Sequence, residues 1–377
     1  MQCSAPLVGI DVPGFRRNRF DELVMVSNTV TSRKNFLSKY RYKVHESYSE
    51  ETGFWSTRQD LGEDIFTGKY RFYDVKGNEV FPYPVPCGTC FNCRIRKSAE
   101  WADRMTMEIC TSSYPCWFVT LTYDDKYVPW NDDGTSLTLS REDADRFIKN
   151  YQMYCYRHGL TPRHFLSGEY GSKTFRPHYH CILFDLPLDD LEYYGNNFRG
   201  DVFFTSHTVS SWWSGKGFIL LAHASWETAA YTARYVTKKM YGKLSDLYEE
   251  ANILPEFQLQ SNRPGIGHDF FVKNREKIMH DGGIVLPSGR ICCIPQYFDR
   301  LYQDFLQQYP YGEDGSESLA LSEDYLAFKE IRKKNCFDSF VEKMHVLQIP
   351  EKKYFDILSD QGKIVNKKLK RSLDMSL

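Results

Sequence analysis

The sequence carries no excess of charge of either sign and has no long apolar run. Its 377 residues include 48 Lys and Arg against 49 Asp and Glu, a formal net charge of −1. Nucleic-acid-binding proteins usually carry a net positive charge, so any such binding must rely on local basic clusters. The longest apolar stretch, residues 218–226, is too short to span a bilayer, and we expect no membrane association.

A secretion signal is also missing, because charged residues such as Asp11, Arg16 and Arg17 interrupt the opening segment. Eleven cysteines without such a signal indicate free thiols in a reducing, cytoplasmic compartment. No internal repeat or low-complexity tract is visible. The hydrophobic share of 42% indicates a globular chain, and the aromatic share of 16% offers rings on which unpaired bases can stack.

The most informative segment is PHYHCILF at residues 177–184, which has strand character. In a β-strand, residues i and i+2 point to the same face, so His178 and His180 project together while Tyr179 and Cys181 point into a core. Two imidazoles on one strand face are suitable ligands for one divalent cation. The alternative is a pair of ordinary histidines, the commoner meaning of an isolated His-x-His.

A second segment, residues 225–239, predicts a helix with two tyrosines on one face. Ser225 suits the N-cap, and Tyr231 and Tyr235 are four residues apart. Lys238 and Lys239 follow. The alternative is an aromatic stripe packed on a core, but such a stripe more often continues with apolar residues.

A third metal ligand is expected on the strand that precedes the histidine strand. Glu169 lies there, in a segment that predicts an antiparallel hairpin with the histidine strand. Asp124 or Asp125, at the end of an earlier strand, could take its place.

In this order, the first strand, the acidic strand, the histidine strand and the tyrosine helix resemble the HUH endonucleases. The closer resemblance is to the replication initiators of gokushovirus-type Microviridae phages. It covers about residues 87–302 and rests on five blocks: LTYDD at 121–125, GEYG at 168–171, RPHYH at 176–180, YVTKK at 235–239 and RPGIG at 263–267.

The resemblance implies an α+β fold of the HUH endonuclease type, with a central antiparallel sheet, ferredoxin- or RRM-like, flanked by helices. The sequence pattern agrees, because it reads strand, helix, three strands, helix. We expect three regions: an N-terminal segment 1–112 with a cysteine cluster and a helix, an endonuclease domain 113–302, and a helical extension 303–377 with a basic tail. The predicted elements are helices at 91–112 and 140–158, strands at 117–123 and 217–224, and hairpins at 163–184 and 284–291.

The resemblance also implies the chemistry, which is nicking and rejoining of single-stranded origin DNA in rolling-circle replication. Mg²⁺ or Mn²⁺ would sit on Glu169, His178 and His180, and a tyrosine would form a 5′-phosphotyrosyl bond. Expected roles are as follows: Tyr235 makes the initiating cut, Tyr231 the second, Lys238 neutralises the phosphate or protonates the leaving oxygen, and Arg176, Arg234 and Lys239 contact DNA. The expected setting is the cytoplasm of a bacterial host, with the host replication helicase and polymerase as possible partners.

A cysteine cluster predicts a second, structural metal. Cys87, Cys90 and Cys93 stand at x2 spacing before a helix, a density at which zinc is the usual ligand. Cys3 is the favoured fourth ligand, with Cys110 or Cys116 as alternatives. An iron–sulfur cluster fits less well because the following Cys-Pro is missing, and three unrelated buried thiols are the remaining alternative.

Three other functions stay open at this point. In one, water rather than tyrosine attacks and the chain is a metal-dependent phosphodiesterase. In another, it is a zinc-stabilised nucleic-acid-binding protein without catalysis. A transposase or relaxase of the same fold is nearer, although relaxases usually place the tyrosine before the histidines.

Overall fold

The structure of the chain is a computed structural model. It describes residues 7–10, 15–17, 23–25, 29–31, 41–44, 65, 70–73, 77, 79–80, 82–171, 174–197, 200–234, 245–308, 358, 360–361 and 364. Two compact units divide the chain: one comprises Met1–Arg94 with Pro310–Leu377, and the other Ile95–Tyr309.

The first unit contains short antiparallel strands in three small sheets. The strands are β1 Leu7–Ile10, β2 Phe15–Arg17, β3 Leu23–Met25, β4 Thr29–Thr31, β5 Arg41–Val44, β6 Tyr70–Tyr73, β7 Glu79–Val80 and β8 Pro82–Val85. The sheets have the order β4-β1-β8, β2-β3 and β5-β6-β7. The sequence predicted no element before residue 80. These strands are four residues long at most, too short for a periodic pattern to identify.

The second unit is built on a seven-stranded antiparallel sheet. Its strands are β9 Trp117–Leu121, β10 Arg163–Tyr170, β11 Pro177–Phe184, β12 Leu191–Asn196, β13 Val202–Ser206, β14 Ile219–His223 and β15 Phe257–Gln260. Their order across the sheet is β12-β13-β14-β9-β11-β10-β15. A separate hairpin pairs β16 Ile284–Val285 with β17 Ile291–Cys292.

Helices accompany this sheet along the chain. They are α1 Phe91–Ile109, α2 Arg141–Arg157, α3 His207–Trp212, α4 Trp226–Thr232, α5 Asp246–Glu250, α6 His268–Asp281 and α7 Gln296–Gln308. The class is therefore α+β, as predicted.

Alternation along the inner strands creates two different faces of the sheet. On one face, buried strand residues such as Val119, Tyr179 and Cys181 form the main core with α2 and α3. Phe147 and Trp212 contribute from those helices. The predicted inward direction of Tyr179 and Cys181 is confirmed, and both are fully buried.

The opposite face packs against α1 and α4. Its smaller core joins Phe165 and Ile182 of the sheet to Ala102 and Met105 of α1 and to Ala229 of α4. Small residues on both helices allow them to approach the strands closely. This face carries the histidines, so α4 is held beside them.

Several local predictions are confirmed. Ser140 caps α2 by accepting a hydrogen bond from Asp143 N at 3.1 Å. Ser225 caps α4 through a capping box with Thr228. The hairpin of β10 and β11 forms in full, with Glu169 directly opposite His178.

The RPGIG block at 263–267 is a loop held by buried charges. Arg163 pairs with Glu108 through Nε and Oε1 at 2.6 Å and also donates to the carbonyl of Gly265. Arg104 donates to the carbonyl of Ile266 at 2.9 Å, and Gly267 N donates to Glu108 at 2.6 Å. These contacts give this block a structural role within the second unit.

Among the described residues, no helix is both long enough and apolar enough to cross a membrane.

Candidate active site

Three predicted ligands converge on the sheet face that is covered by α4. Glu169 on β10 pairs with His178 on β11, and His180 lies two residues further along the same strand. The potential ligand atoms of Glu169, His178 and His180 all lie within 4.8 Å of one another. We refer to these residues as the Glu-His-His group.

The glycine before Glu169 has a steric reason. A Cβ at Gly168 would meet the ring of Tyr179 at 3.1 Å and Leu139 at 3.2 Å. Because Gly168 faces the main core, Glu169 faces the opposite side of the strand, beside the histidines. The GEYG block thus fixes the direction in which the carboxylate points.

Contacts behind the imidazoles orient them. Nδ1 of His178 lies 3.1 Å from the carbonyl oxygen of Arg176, which can only accept, so Nδ1 carries the proton and Nε2 keeps its lone pair. Nδ1 of His180 lies 3.2 Å from the hydroxyl of Thr120, and its Nε2 lies 3.5 Å from Oε1 of Glu169. Such outer contacts commonly fix the ring orientation of metal-binding histidines.

The donor set fits a divalent cation. Two imidazole nitrogens and one carboxylate oxygen suit Mn²⁺ and, less tightly, Mg²⁺. Glu169 and His180 are buried, with only 1% and 5% of their surfaces exposed. Buried carboxylates are normally paired or bound to metal, and Glu169 has a basic nitrogen beside it already.

Tyr231 on α4 lies directly against this group. Its ring centroid is 4.7 Å from that of His180, edge to face, and 6.0 Å from Phe118. Burial raises the pKa of Tyr231 to about 12; the charge of Glu169 adds to the rise and Arg234 opposes it. The guanidinium of Arg234 lies 4.7 Å from the same ring. The phenol is therefore protonated at neutral pH.

The tyrosine helix is shorter than predicted. The sequence predicted a helix from the Ser225 cap through Lys239, but α4 ends at Thr232. Arg234 N instead bonds to the carbonyl of Tyr231, three residues back, at 3.1 Å. The hydroxyl of Thr232 bonds to the carbonyl of Thr228 at 2.8 Å, a local contact that competes with regular helix.

Three predicted site residues, Tyr235, Lys238 and Lys239, lie outside the described residues. The predicted shared face of Tyr231 and Tyr235 therefore stays a prediction.

Arg176, predicted to contact DNA, is anchored beside the group. Its guanidinium pairs with Asp125 at 2.7 Å and donates to the carbonyl of Tyr123 at 2.6 Å. Asp125 is thereby committed to Arg176, and Glu169 rather than an aspartate that follows β9 stands with the histidines.

The cysteine cluster lies in the first unit, in the turn that leads into α1. The sulfurs of Cys87, Cys90 and Cys93 also lie within 4.8 Å of one another. Cys90 N donates to the sulfur of Cys87 at 3.3 Å, a contact that favours the thiolate form. We refer to these residues as the Cys group.

Of the predicted fourth ligands, Cys3 lies outside the described residues. Cys116 is buried, its sulfur lies 3.2 Å from the hydroxyl of Ser112, and burial raises its pKa. The pKa of Cys110 is raised by burial as well. A raised pKa disfavours the thiolate that a metal requires.

One residue of the site, Thr120, was not predicted from the sequence. Its hydroxyl stands opposite His180 because β9 pairs with β11 in the register that sets these two residues side by side. Alternation along the VTLT segment predicted one polar face, but only the register between two strands distant in sequence brings that face to His180.

Comparisons with known proteins agree with this arrangement. The model of a family described as replication-associated protein ORF2 matches residues 116–240. The replication-associated protein ORF2 of Spiroplasma virus 4 is 34% identical over 303 residues, which cover 79% of this chain and 88% of that protein. The replication-associated protein VP4 of Bdellovibrio phage phiMH2K is 29% identical over 235 residues, or 60% of this chain and 69% of that protein.

A third relative, the replication-associated protein ORF4 of Chlamydia phage 1, is 27% identical over 233 residues, or 60% of this chain and 56% of that protein. No solved structure matches the chain. The match of residues 116–240 contains the Glu-His-His group and Tyr231. The resemblance drawn from the sequence is thus confirmed, and the chain belongs to the ORF2 family of phage replication-associated proteins.

Proposed function

We propose that this protein is a replication initiator of a small single-stranded DNA phage, which nicks and rejoins single-stranded origin DNA in rolling-circle replication. The observation that carries the proposal is the convergence of Glu169, His178 and His180, with Tyr231 packed 4.7 Å from His180. The membership in a family of replication-associated proteins supports the same reaction.

The fold supports an HUH endonuclease. The histidine strand β11 is an inner strand of the antiparallel sheet, between β9 and β10. The tyrosine helix α4 packs on the histidine face of that sheet. We take this pairing of elements as the HUH arrangement.

In this proposal Glu169, His178 and His180 hold Mn²⁺ or Mg²⁺. A cation bound there would make the scissile phosphate more electrophilic by binding its non-bridging oxygens. The carbonyl of Arg176 keeps His178 in the tautomer that offers Nε2, and Thr120 orients His180. Arg176 and Arg234 lie beside the group with their positive charges and contact the DNA backbone.

The protein's tyrosines carry the strand. The phenol oxygen of Tyr235 or Tyr231 attacks phosphorus and gives up its proton. The bond from phosphorus to the 3′ oxygen breaks, and that oxygen leaves as a 3′-OH after Lys238 protonates it. The resulting 5′-phosphotyrosyl bond keeps the energy of the phosphodiester, so the strand can be rejoined without ATP. Two tyrosines allow one to hold the old 5′ end while the other cuts the regenerated origin.

One observation favours a second candidate, a phosphodiesterase in which water attacks. The pKa of Tyr231 is raised to about 12, which disfavours the phenolate, and the Glu-His-His group needs no tyrosine to hold a cation. The two mechanisms differ in whether a covalent adduct forms.

We further propose that the Cys group holds a structural Zn²⁺, with Cys3 as the fourth ligand. Three thiolates at these distances suit zinc. The protein would then act in the cytoplasm of the bacterial host, where origin DNA, a helicase and a polymerase of the host are available.

The test is cleavage of labelled single-stranded origin DNA with Mn²⁺, followed by a denaturing gel. We expect cleavage by the wild type and none by His178→Ala or His180→Ala. His280→Ala is the matched control, because that histidine is 88% exposed on α6. Mn²⁺-dependent cleavage retained in both site variants would refute the metal assignment, provided that thermal unfolding shows all variants folded.

A further inference from the structure

Two exposed aromatic side chains contact each other away from the Glu-His-His group. Tyr194 is 59% exposed and Phe218 is 45% exposed. Their ring centroids are 5.2 Å apart and the ring planes are tilted by 48°. We refer to them as the aromatic pair.

Phe218 lies on the same sheet face as His180. The next residue, Ile219, pairs with Leu121, and both are buried in the main core on the opposite face. Alternation therefore directs Phe218 to the face that carries Thr120 and His180. The carbonyl of Phe218 accepts hydrogen bonds from the backbone N of Thr122 at 3.1 Å and from its hydroxyl at 2.9 Å.

The preceding glycine makes this position possible. A Cβ at Gly217 would lie 2.1 Å from the carbonyl oxygen of Thr122. Only glycine lets the backbone before β14 come this close to the end of β9. The position of Phe218 beside β9 is thus built into the backbone.

Tyr194 is directed to Phe218 by a break in the strand register. Along β12, Tyr193 pairs with Phe204 and Gly195 pairs with Phe203, so Tyr194 is an extra residue at a β-bulge. Bulges often turn a side chain toward a new direction near active sites. Here the bulge accompanies a contact between two rings that remain largely exposed.

The geometry relates the pair to the metal ligands. Strand β14 neighbours β9, and β9 neighbours β11. Two strand spacings correspond to about 10 Å. Phe218 precedes β14, Thr122 follows β9 and His178 is near the start of β11, so all three are at one end of the antiparallel sheet.

We propose that Tyr194 and Phe218 form a base-stacking site for unpaired DNA bases that flank the phosphate at the Glu-His-His group. This inference rests on the proposed function for the position of the DNA. Aromatic rings stack on any unpaired base, because every base has a π face. A single strand that crosses β9 from the metal ligands reaches the pair on a continuous face, which is why DNA is the occupant we assign.

The test is the affinity for labelled single-stranded oligothymidine, measured by fluorescence anisotropy without divalent metal. We expect Tyr194→Leu and Phe218→Leu each to weaken binding about tenfold, because stacking is lost while apolar bulk remains. Tyr193→Leu is the matched control. Tyr193 is 66% exposed on the same strand, but its register partner Phe204 packs on Trp117 on the other face.

A second oligonucleotide isolates the stacking. In a strand of abasic sugar–phosphate residues there is no base to stack, so the wild type and all three variants should bind with equal affinity. Equal affinity for oligothymidine, an equal loss in Tyr193→Leu, a loss that persists on abasic DNA, or no affinity of the wild type for DNA would each overturn the base-stacking site.

The proposed function is judged separately, by adduct formation with Mn²⁺. If the wild type binds oligothymidine through the pair yet forms no adduct and cuts no DNA, the stacking site stands and the nicking reaction fails. If the wild type nicks and the leucine variants bind as tightly as the wild type, the stacking site alone is rejected.

Discussion

The hydroxyl of Thr120 lies 3.2 Å from Nδ1 of His180, whose Nε2 lies 3.5 Å from Glu169. Thr120→Val removes this hydroxyl and keeps the shape of the side chain. Loss of such an outer contact typically weakens metal binding by about 10- to 100-fold. This corresponds to about 1.4–2.7 kcal/mol of binding free energy. We therefore expect the dissociation constant for Mn²⁺ to rise by that factor.

The assay is a Mn²⁺ titration in which electron paramagnetic resonance measures the free ion. Thr120→Ser keeps a hydroxyl and should recover most of the affinity. Thr122→Val is the matched control, because its hydroxyl bonds to the carbonyl of Phe218 and not to a histidine. Wild-type affinity in Thr120→Val, or the same loss in Thr122→Val, would refute the orienting role of Thr120.

Three further predictions concern stability and the second metal. Burial, with Arg163 beside it, lowers the pKa of His164 to about 4, so the unfolded state binds more protons; stability falls as the pH drops from about 6.5 to 4, by about 3 kcal/mol. His164→Gln should remove that part of the pH dependence in urea unfolding, and an unchanged slope would contradict it. Arg163→Met leaves Glu108 buried without its bidentate partner and should lower the free energy of unfolding by about 3–5 kcal/mol, measured by urea titration; a loss below about 1 kcal/mol would exclude this role. Protein purified without added metal should contain one zinc per chain, and Cys90→Ser should lose it by elemental analysis; zinc-free wild type, or a visible absorbance due to iron, would reject the zinc site.

Strand periodicity was sufficient to predict the histidine face. His178 and His180 flank a fully buried Tyr179, so alternation alone gave their common direction. The position of Glu169 followed from one short hairpin, because its register sets Glu169 directly opposite His178. These predictions depended on neighbours close in sequence.

Contacts between distant segments could not be predicted in the same way. Thr120 reaches His180 through a pairing of strands about 60 residues apart, and sequence periodicity does not define that register. The bulge at Tyr194 is invisible for the same reason, since it exists only relative to β13. The end of α4 at Thr232 also escaped prediction, because Ala229 and Ala233 favour a longer helix.

The central claim is that a tyrosine, not water, attacks the phosphodiester. The most direct measurement uses 3′-labelled single-stranded origin DNA and Mn²⁺, with a denaturing gel for covalent adducts and peptide mass spectrometry for the attached residue. The account predicts an adduct on Tyr235 in the initiating cut, its near loss in Tyr235→Phe, and no adduct in Tyr231→Phe combined with Tyr235→Phe. Tyr231→Phe alone should still nick but fail to release circles. Cleavage without any adduct, or an adduct retained in the double variant, would contradict the account.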